Sequence, residues 1–94
     1  MDQIATHSIE EGLDFAFNLL VGPAADAGRA DSSLAAELLS LIAGFVRPRH
    51  AGEPEVALHY VEGLASSIPL EFLRNESQIK SQIAWLRERI EPDQ

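Results

Sequence analysis

Apolar residues recur every three or four positions in four stretches of the chain, and this spacing constrains the fold more than any other feature. At about 100° per residue, such spacing gathers apolar side chains on one face of an α-helix. Glycine, proline and helix-capping residues separate the stretches. The sequence therefore predicts an all-α fold, a compact antiparallel bundle of four main helices with short extra helical turns near residues 23–27 and 69–74.

The chain has 94 residues, which leaves no room for two separate hydrophobic cores, so we expect one helical domain over residues 1–94. The absence of cysteine excludes disulfides and cysteine-ligated zinc, and it fits a reducing compartment. The N-terminus has neither a basic start nor an apolar run, and no apolar stretch reaches the length of a membrane span. We expect a cytoplasmic protein that does not enter a membrane.

The formal net charge of −8 is concentrated in the first half of the chain. Residues 1–46 carry seven acids and one base, whereas residues 47–94 carry eight acids and six bases. This charge disfavours direct binding to nucleic-acid phosphates, and it would steer the protein towards a basic partner. Six arginines against one lysine, with thirteen alanines, indicate a bacterial coding bias.

The first helix is predicted to begin at Ser8, where Ser8 and Glu11 form a capping box, and to end at Gly22-Pro23. Phe15 and Leu19 widen its apolar arc beyond one face. An arc this broad is covered either by two neighbouring helices or by a second copy, so Phe15 and Leu19 are the candidate self-association residues. The acids on the rest of its surface are Glu10, Glu11 and Asp14.

The second helix is predicted to start at a cap formed by Asp31 or Ser32 and to end at Arg47-Pro48. Nearly every position from Leu34 to Val46 is apolar, which favours a central location. Its least apolar side consists of small residues that would let another helix approach closely, namely Ala36, Ser40, Ala43 and Gly44.

The third helix is predicted from Pro54 to about Ser67 and the last from an Asn75 cap to about Glu91. Their apolar stripes are Ala57, Val61, Leu64, Ala65 and Ile68, and then Ile79, Ile83, Leu86 and Ile90. Three glycines fall inside predicted helices, where each costs about 1 kcal/mol relative to alanine. Tight helix crossings would explain Gly12, Gly44 and Gly63.

No catalytic or nucleotide-binding motif is present, so we expect neither an enzyme nor a cofactor. The best metal-like set is Glu55, His59 and Glu62, which share one face of the third helix. Structural zinc needs a fourth strong ligand, so this set is interpreted as a solvated face that binds no metal.

Arg47, Arg49 and His50 concentrate positive charge after the second helix. Cations complement the negative C-terminal end of a helix, which is the structural interpretation. The functional alternative is recognition of an anion or carboxylate, because arginine forks bind such groups in a bidentate manner.

Trp85 lies about 100° from the centre of the last helix's apolar stripe and shares its side with Gln82 and Arg89. Tryptophan and arginine dominate the binding energy of protein interfaces, which favours a partner-binding surface. The alternative is that Trp85 packs on the flank of a wide core with Arg89 over its ring.

The segment Ala30-Asp31-Ser32-Ser33-Leu34 resembles the Asp-Ser-Leu attachment motif of acyl carrier proteins. Those proteins are also small, acidic and helical, and Ile68-Pro69 before the last helix is similar to their second half. The resemblance implies phosphopantetheine attached to Ser33 or Ser32. The alternative is that both serines belong to a helix cap.

These observations favour a small acidic intracellular protein-binding module of the adaptor, inhibitor or immunity type. Its expected contact surfaces are the acidic first helix and the Trp85 face, so the candidate partner-binding residues are Trp85, Arg89, Gln82, Glu10, Glu11 and Asp14. The alternatives are a homodimerising structural domain and an acyl-carrier-like protein modified at Ser33 or Ser32.

Overall fold

The structure is a computed structural model that describes residues 2–91, with side chains described from residue 9 onwards. It confirms an all-α four-helix bundle, and residues 2–91 contain no strand. The elements are α1 (Asp2–Ala30), α2 (Ser32–His50), α3 (Pro54–Ser67), a 3₁₀ turn (Leu70–Phe72) and α4 (Glu76–Ile90).

Helix α1 differs from the prediction at both ends. It is already helical at Asp2, so Ser8 is not its cap, and it continues through Pro23 to Ala30 without the expected loop. A proline inside a helix removes one hydrogen bond and costs about 3 kcal/mol. Ala24 and Ala27 beyond it are almost completely buried, and this packing holds the last two turns helical despite the proline.

Helix α2 begins as predicted, with Asp31 as its cap, but it continues past the predicted end at Arg47-Pro48 to His50. The Pro48 ring is buried, and its carbonyl accepts the Glu53 amide at 2.8 Å. Gly52, at a φ of 75°, donates its amide to the Arg49 carbonyl and so completes a Schellman cap. The stop signal therefore lies at Gly52.

Helices α1 and α2 form an antiparallel hairpin joined by Asp31 alone, whose extended backbone reverses the chain. Near the connection, Gly28 lets the helices approach closely, since a Cβ there would lie 3.2 Å from that of Ala35. Further along, the rings of Phe17 and Phe45 stack with their centroids 4.4 Å apart. These contacts fix which residues of the two helices lie opposite each other.

The expectation that α2 is the central helix is wrong. Only Leu38, Phe45 and Pro48 of α2 are buried, whereas Leu39 is 64% exposed. Helices α1 and α3 are the central ones, because each packs against the other three helices, and α3 is the shorter of the two. The buried residues of α3 are Ala57, Leu58, Val61 and Leu64, and Ile68 follows them into the core.

The prediction that glycines mark tight helix crossings is confirmed at Gly12 and Gly44, where the neighbour is an aromatic ring, but not at Gly63. A Cβ on Gly12 would lie 2.5 Å from Cζ3 of Trp85, and one on Gly44 would overlap the ring of Tyr60. At Gly63 a Cβ would make an ordinary contact with Leu41. Within this chain the expected small-residue seam of α2 packs against another helix only at Gly44, because Ala36, Ser40 and Ala43 are exposed.

Helix α4 and the turn before it lie where the sequence places them, although the Asn75 side chain makes no capping hydrogen bond. The stripe of α4 faces the core through Ile79, Leu86 and Ile90, with Ile83 half-buried. Among the helices described, none is both long enough and apolar enough to cross a bilayer.

The two kinds of glycine environment predict opposite effects of the same substitution. Gly44→Ala should lower the free energy of unfolding by about 1–2 kcal/mol, because the clash with Tyr60 outweighs the gain in helix propensity. Gly63→Ala is the matched control, since a Cβ there would make only an ordinary van der Waals contact with Leu41. It should raise the free energy of unfolding by up to about 1 kcal/mol. Urea denaturation measures both, and two shifts of the same sign would contradict the packing at Gly44.

Candidate functional site

Trp85 is half-buried in a notch on α1 that the missing side chain of Gly12 leaves open. The Arg89 guanidinium carbon lies 3.9 Å from the centroid of the indole ring, and Arg89 Nη1 donates to the Trp85 carbonyl at 3.1 Å. The indole therefore has neighbours within the chain at Gly12 of α1 and at Arg89. This arrangement corresponds to the alternative of a tryptophan on the flank of the core.

Gln82, the third residue of the predicted α4 surface, connects two helices. Its side-chain Nε2 donates to the Gly12 carbonyl at 3.1 Å, in a part-buried position. The two predicted self-association residues differ, because Phe15 is 46% exposed whereas Leu19 is half-buried and packs against the core. Gln82 and Leu19 thus have roles inside the bundle, and Phe15 is the exposed member of this group.

The predicted acidic surface of α1 is partly neutralised by Arg49 from the end of α2. Arg49 Nη1 donates to Asp14 Oδ2 at 3.3 Å and lies 3.7 Å from Glu10 Oε1. The buried Arg49 Nε lies 3.2 Å from Asp14 Oδ1, but not in line for a hydrogen bond. Glu11 is exposed on the same helix. Arg49 therefore binds carboxylates of this chain itself, and this contact closes the open end of the hairpin.

The three residues of the metal-like set do not form a ligand group. Glu55 and His59 are exposed on α3, while the Glu62 carboxylate forms an ion pair with Arg87 of α4. Within the described residues, no three side chains of His, Cys, Asp or Glu come close enough to hold a metal ion. That the set binds no metal in solution stays a prediction.

The Asp31-Ser32-Ser33 segment lies at the exposed N-terminus of α2. The Asp31 carboxylate accepts hydrogen bonds from the Leu34 amide at 3.3 Å and from the Ser33 hydroxyl and amide at 3.0 Å each. The geometry is that of a helix cap. Attachment of phosphopantetheine to Ser33 or Ser32 stays a prediction.

An apolar surface that the sequence analysis missed lies on the outer side of the hairpin. It combines exposed Leu39 and Val46 of α2 with Val21 of α1 and the small residues around them. We call it the hairpin face, and its residues are Val21, Gly22, Ala25, Ala36, Leu39, Ser40, Ala43 and Val46. It contains no charged side chain.

The register of the hairpin makes this face continuous across the two helices. Phe17 stacks on Phe45 and Gly28 meets Ala35, so position 21 of α1 lies opposite about position 42 of α2. Neighbours three and four residues apart share a face of a helix. Val21 therefore lies at the height of the α2 turn between Leu39 and Val46.

An open groove of about 590 Å³ lies between α3, the 3₁₀ turn and α4. Its charged rim groups are already paired, Lys80 with Glu76 at 3.3 Å and Arg87 with Glu62. The groove therefore presents no unpaired charge for ligand recognition.

Comparison of the chain with protein-family models, with curated proteins and with solved structures gave no match.

Trp85 is the only tryptophan of the chain, so its fluorescence reports the contact with Arg89 directly. Removing the guanidinium in Arg89→Ala should shift emission to longer wavelength and increase quenching by acrylamide, because one face of the indole becomes open to water. Arg74→Ala, which removes an exposed arginine elsewhere, should change neither. Identical quenching of the wild type and Arg89→Ala would contradict the stacking.

The cap geometry predicts the titration of Asp31. Hydrogen bonds from the Leu34 amide, then from the Ser33 hydroxyl and amide, hold the pKa of Asp31 below its ordinary value of 3.8. Its contribution to stability is therefore present above the unfolded-state pKa and is lost as pH falls through the lower folded-state pKa. Carboxyl-carbon NMR should give a pKa below 3.8, also in Ser33→Ala, where the Leu34 amide remains. A pKa of 3.8 or above would show that the cap is absent.

Proposed function

We propose that this protein is a small acidic protein-binding module that contacts its partner through the hairpin face. The observation that carries the proposal is the exposure of Leu39, an aliphatic side chain that is 64% accessible in the middle of a regular helix. A contiguous uncharged apolar surface on a small protein is a frequent mark of a protein contact.

The neighbours of Leu39 support a contact surface rather than an isolated exposed side chain. Val46 and Val21 are 44% and 37% exposed, and the register of the hairpin places them around the same seam. Small residues lie between them, so the backbone of another helix can approach closely. Large side chains beside such gaps provide the shape complementarity that specific interfaces need.

The surface is also held in one geometry before binding. The Phe17–Phe45 stack, the Gly28–Ala35 approach and the Arg49–Asp14 ion pair connect α1 and α2 along their length. A preformed surface loses less conformational freedom on association, which favours affinity. This support comes from the fold and does not depend on any one exposed side chain.

The Trp85 surface is the less favoured contact site for the same function. Arg89 covers the indole, and Gln82 is bonded to the Gly12 carbonyl, so both groups would have to rearrange to meet a partner. Phe15 is an exposed large apolar residue of α1 outside the hairpin face. We place the module in the cytoplasm, in keeping with its cysteine-free composition.

The chain offers a matched pair of leucines for testing the hairpin face. Leu39 is 64% exposed within the face and Leu70 is 69% exposed on the 3₁₀ turn outside it. Tagged Leu39→Asp should retain at least tenfold less of the specific partner from a lysate of the native source than the wild type, because a charge would be buried in an apolar contact. Leu70→Asp should retain as much as the wild type.

Both variants should melt within a few degrees of the wild type, because neither side chain is part of the core. Quantitative mass spectrometry of the retained proteins, with circular dichroism of each variant, makes the comparison. Equal retention by the wild type and a folded Leu39→Asp would show that the hairpin face is not the docking surface.

A further inference from the structure

We propose that the hairpin face binds a second copy of this chain, with the two α2 helices antiparallel across a two-fold axis. This inference rests on the proposed function, because it names the partner of the same surface. It is carried by the order of large and small side chains along α2 and by the charges at the two ends of that helix.

The exposed side of α2 has a coiled-coil spacing. Ala36, Leu39, Ala43 and Val46 follow one another at intervals of three, four and three residues, and all four are exposed. This 3-4-3 pattern is the one by which helices pack knobs into holes. Alanine occupies the first and third of these positions, and a larger aliphatic residue occupies the second and fourth. Small and large side chains therefore alternate along the exposed side of α2.

This alternation selects the antiparallel orientation. When two copies of α2 run in opposite directions, each alanine position lies opposite a position that holds a larger aliphatic residue. Leu39 then faces Ala43 of the second copy, and Val46 faces Ala36, so every layer contains one large and one small side chain. In a parallel pair, alanine would face alanine and leucine would face leucine, which leaves gaps in some layers and crowds others.

The charges at the ends of α2 agree with the same orientation. Arg47 is exposed at the C-terminal end and, within the described residues, has no ion-pair partner. The exposed Asp31 carboxylate caps the N-terminal end and meets no cation among the residues that the structure describes. In the antiparallel register Arg47 of each copy lies opposite position 35 of the other, about one helical turn from Asp31, whereas parallel pairing would bring Arg47 towards Arg47.

The composition of the face favours a second copy over a basic partner. A basic helix would need unpaired acids along the whole seam, yet Asp14 and Glu10, towards the open end of the hairpin, already contact Arg49, and the unpaired Asp31 lies at the other end. The net charge of −8 on each chain opposes self-association at long range. Salt screens that repulsion, so a dimer should become tighter as salt is added, whereas binding to a basic partner should weaken.

Because the chain has no cysteine, introduced cysteines can report the orientation. Ala36→Cys and Val46→Cys are made separately, oxidised alone and then as an equal mixture. In the antiparallel dimer, position 36 of one copy lies beside position 46 of the other, while equivalent positions lie roughly 15 Å apart. Disulfides need Cα atoms within about 7 Å.

The mixture should therefore form mainly disulfide-linked dimers that contain one copy of each variant. Each variant oxidised alone should remain largely without a disulfide cross-link. Rapid cross-linking of each variant with itself and not with the other would overturn the antiparallel arrangement. Intact-mass analysis distinguishes the three possible products, because the two variants differ in mass.

Sedimentation equilibrium tests the association itself. The wild type should show a concentration-dependent shift from 10.3 kDa towards twice that mass, and added salt should lower the dissociation constant. Leu39→Asp should raise that constant at least tenfold, and Leu70→Asp should leave it unchanged. A wild type that stays monomeric at millimolar concentration would overturn the proposal.

The two proposals fail in different ways. If the wild type is monomeric but Leu39→Asp still loses a captured protein, the second copy is excluded and the hairpin face remains a docking surface for another protein. If the wild type is monomeric and Leu39→Asp captures as much as the wild type, both proposals are wrong.

Discussion

The register between α1 and α2 is the constraint on which the rest of the structure depends. Asp31 alone connects the two helices, so the position at which the first ends determines how they align. The stack of Phe17 on Phe45 and the approach of Gly28 to Ala35 hold that alignment. Both the core that receives α3 and the apolar face that stays outside follow from it.

The other two helices are attached to this hairpin by the same physical device. Tyr60 of α3 lies over Gly44, and Trp85 of α4 lies over Gly12, so in each case a ring occupies the space of a missing side chain. A ring in such a notch gains a large contact area and leaves little freedom to slide. Arg89 over Trp85 and Gln82 on the Gly12 carbonyl then close the α4 contact at its rim.

Local signals predicted the short helices well and the long ones poorly. Pro54, the stripe of α4 and the Asp31 cap indicate their elements correctly, because local sequence and packing agree there. At Pro23 the local rule predicted a break, and burial of the following alanines outweighed it. The hairpin face was missed because α2 is apolar on nearly every side, so only the packing of α1 and α3 determines which side stays outside.

The two interior prolines are staggered along the hairpin. Each leaves one gap in the hydrogen-bond ladder of its helix, at Pro23 in α1 and at Pro48 in α2. By the register, Pro23 lies opposite about position 40 of α2, so the two prolines are roughly 12 Å apart along the axis, and the turns that lack a hydrogen bond, 19–23 and 44–48, do not overlap. Each gap therefore lies beside an unbroken turn of the other helix, and this intact turn restrains bending at the gap. Bending at one proline would have to stretch that intact neighbour, so the pair is stiffer than either helix alone.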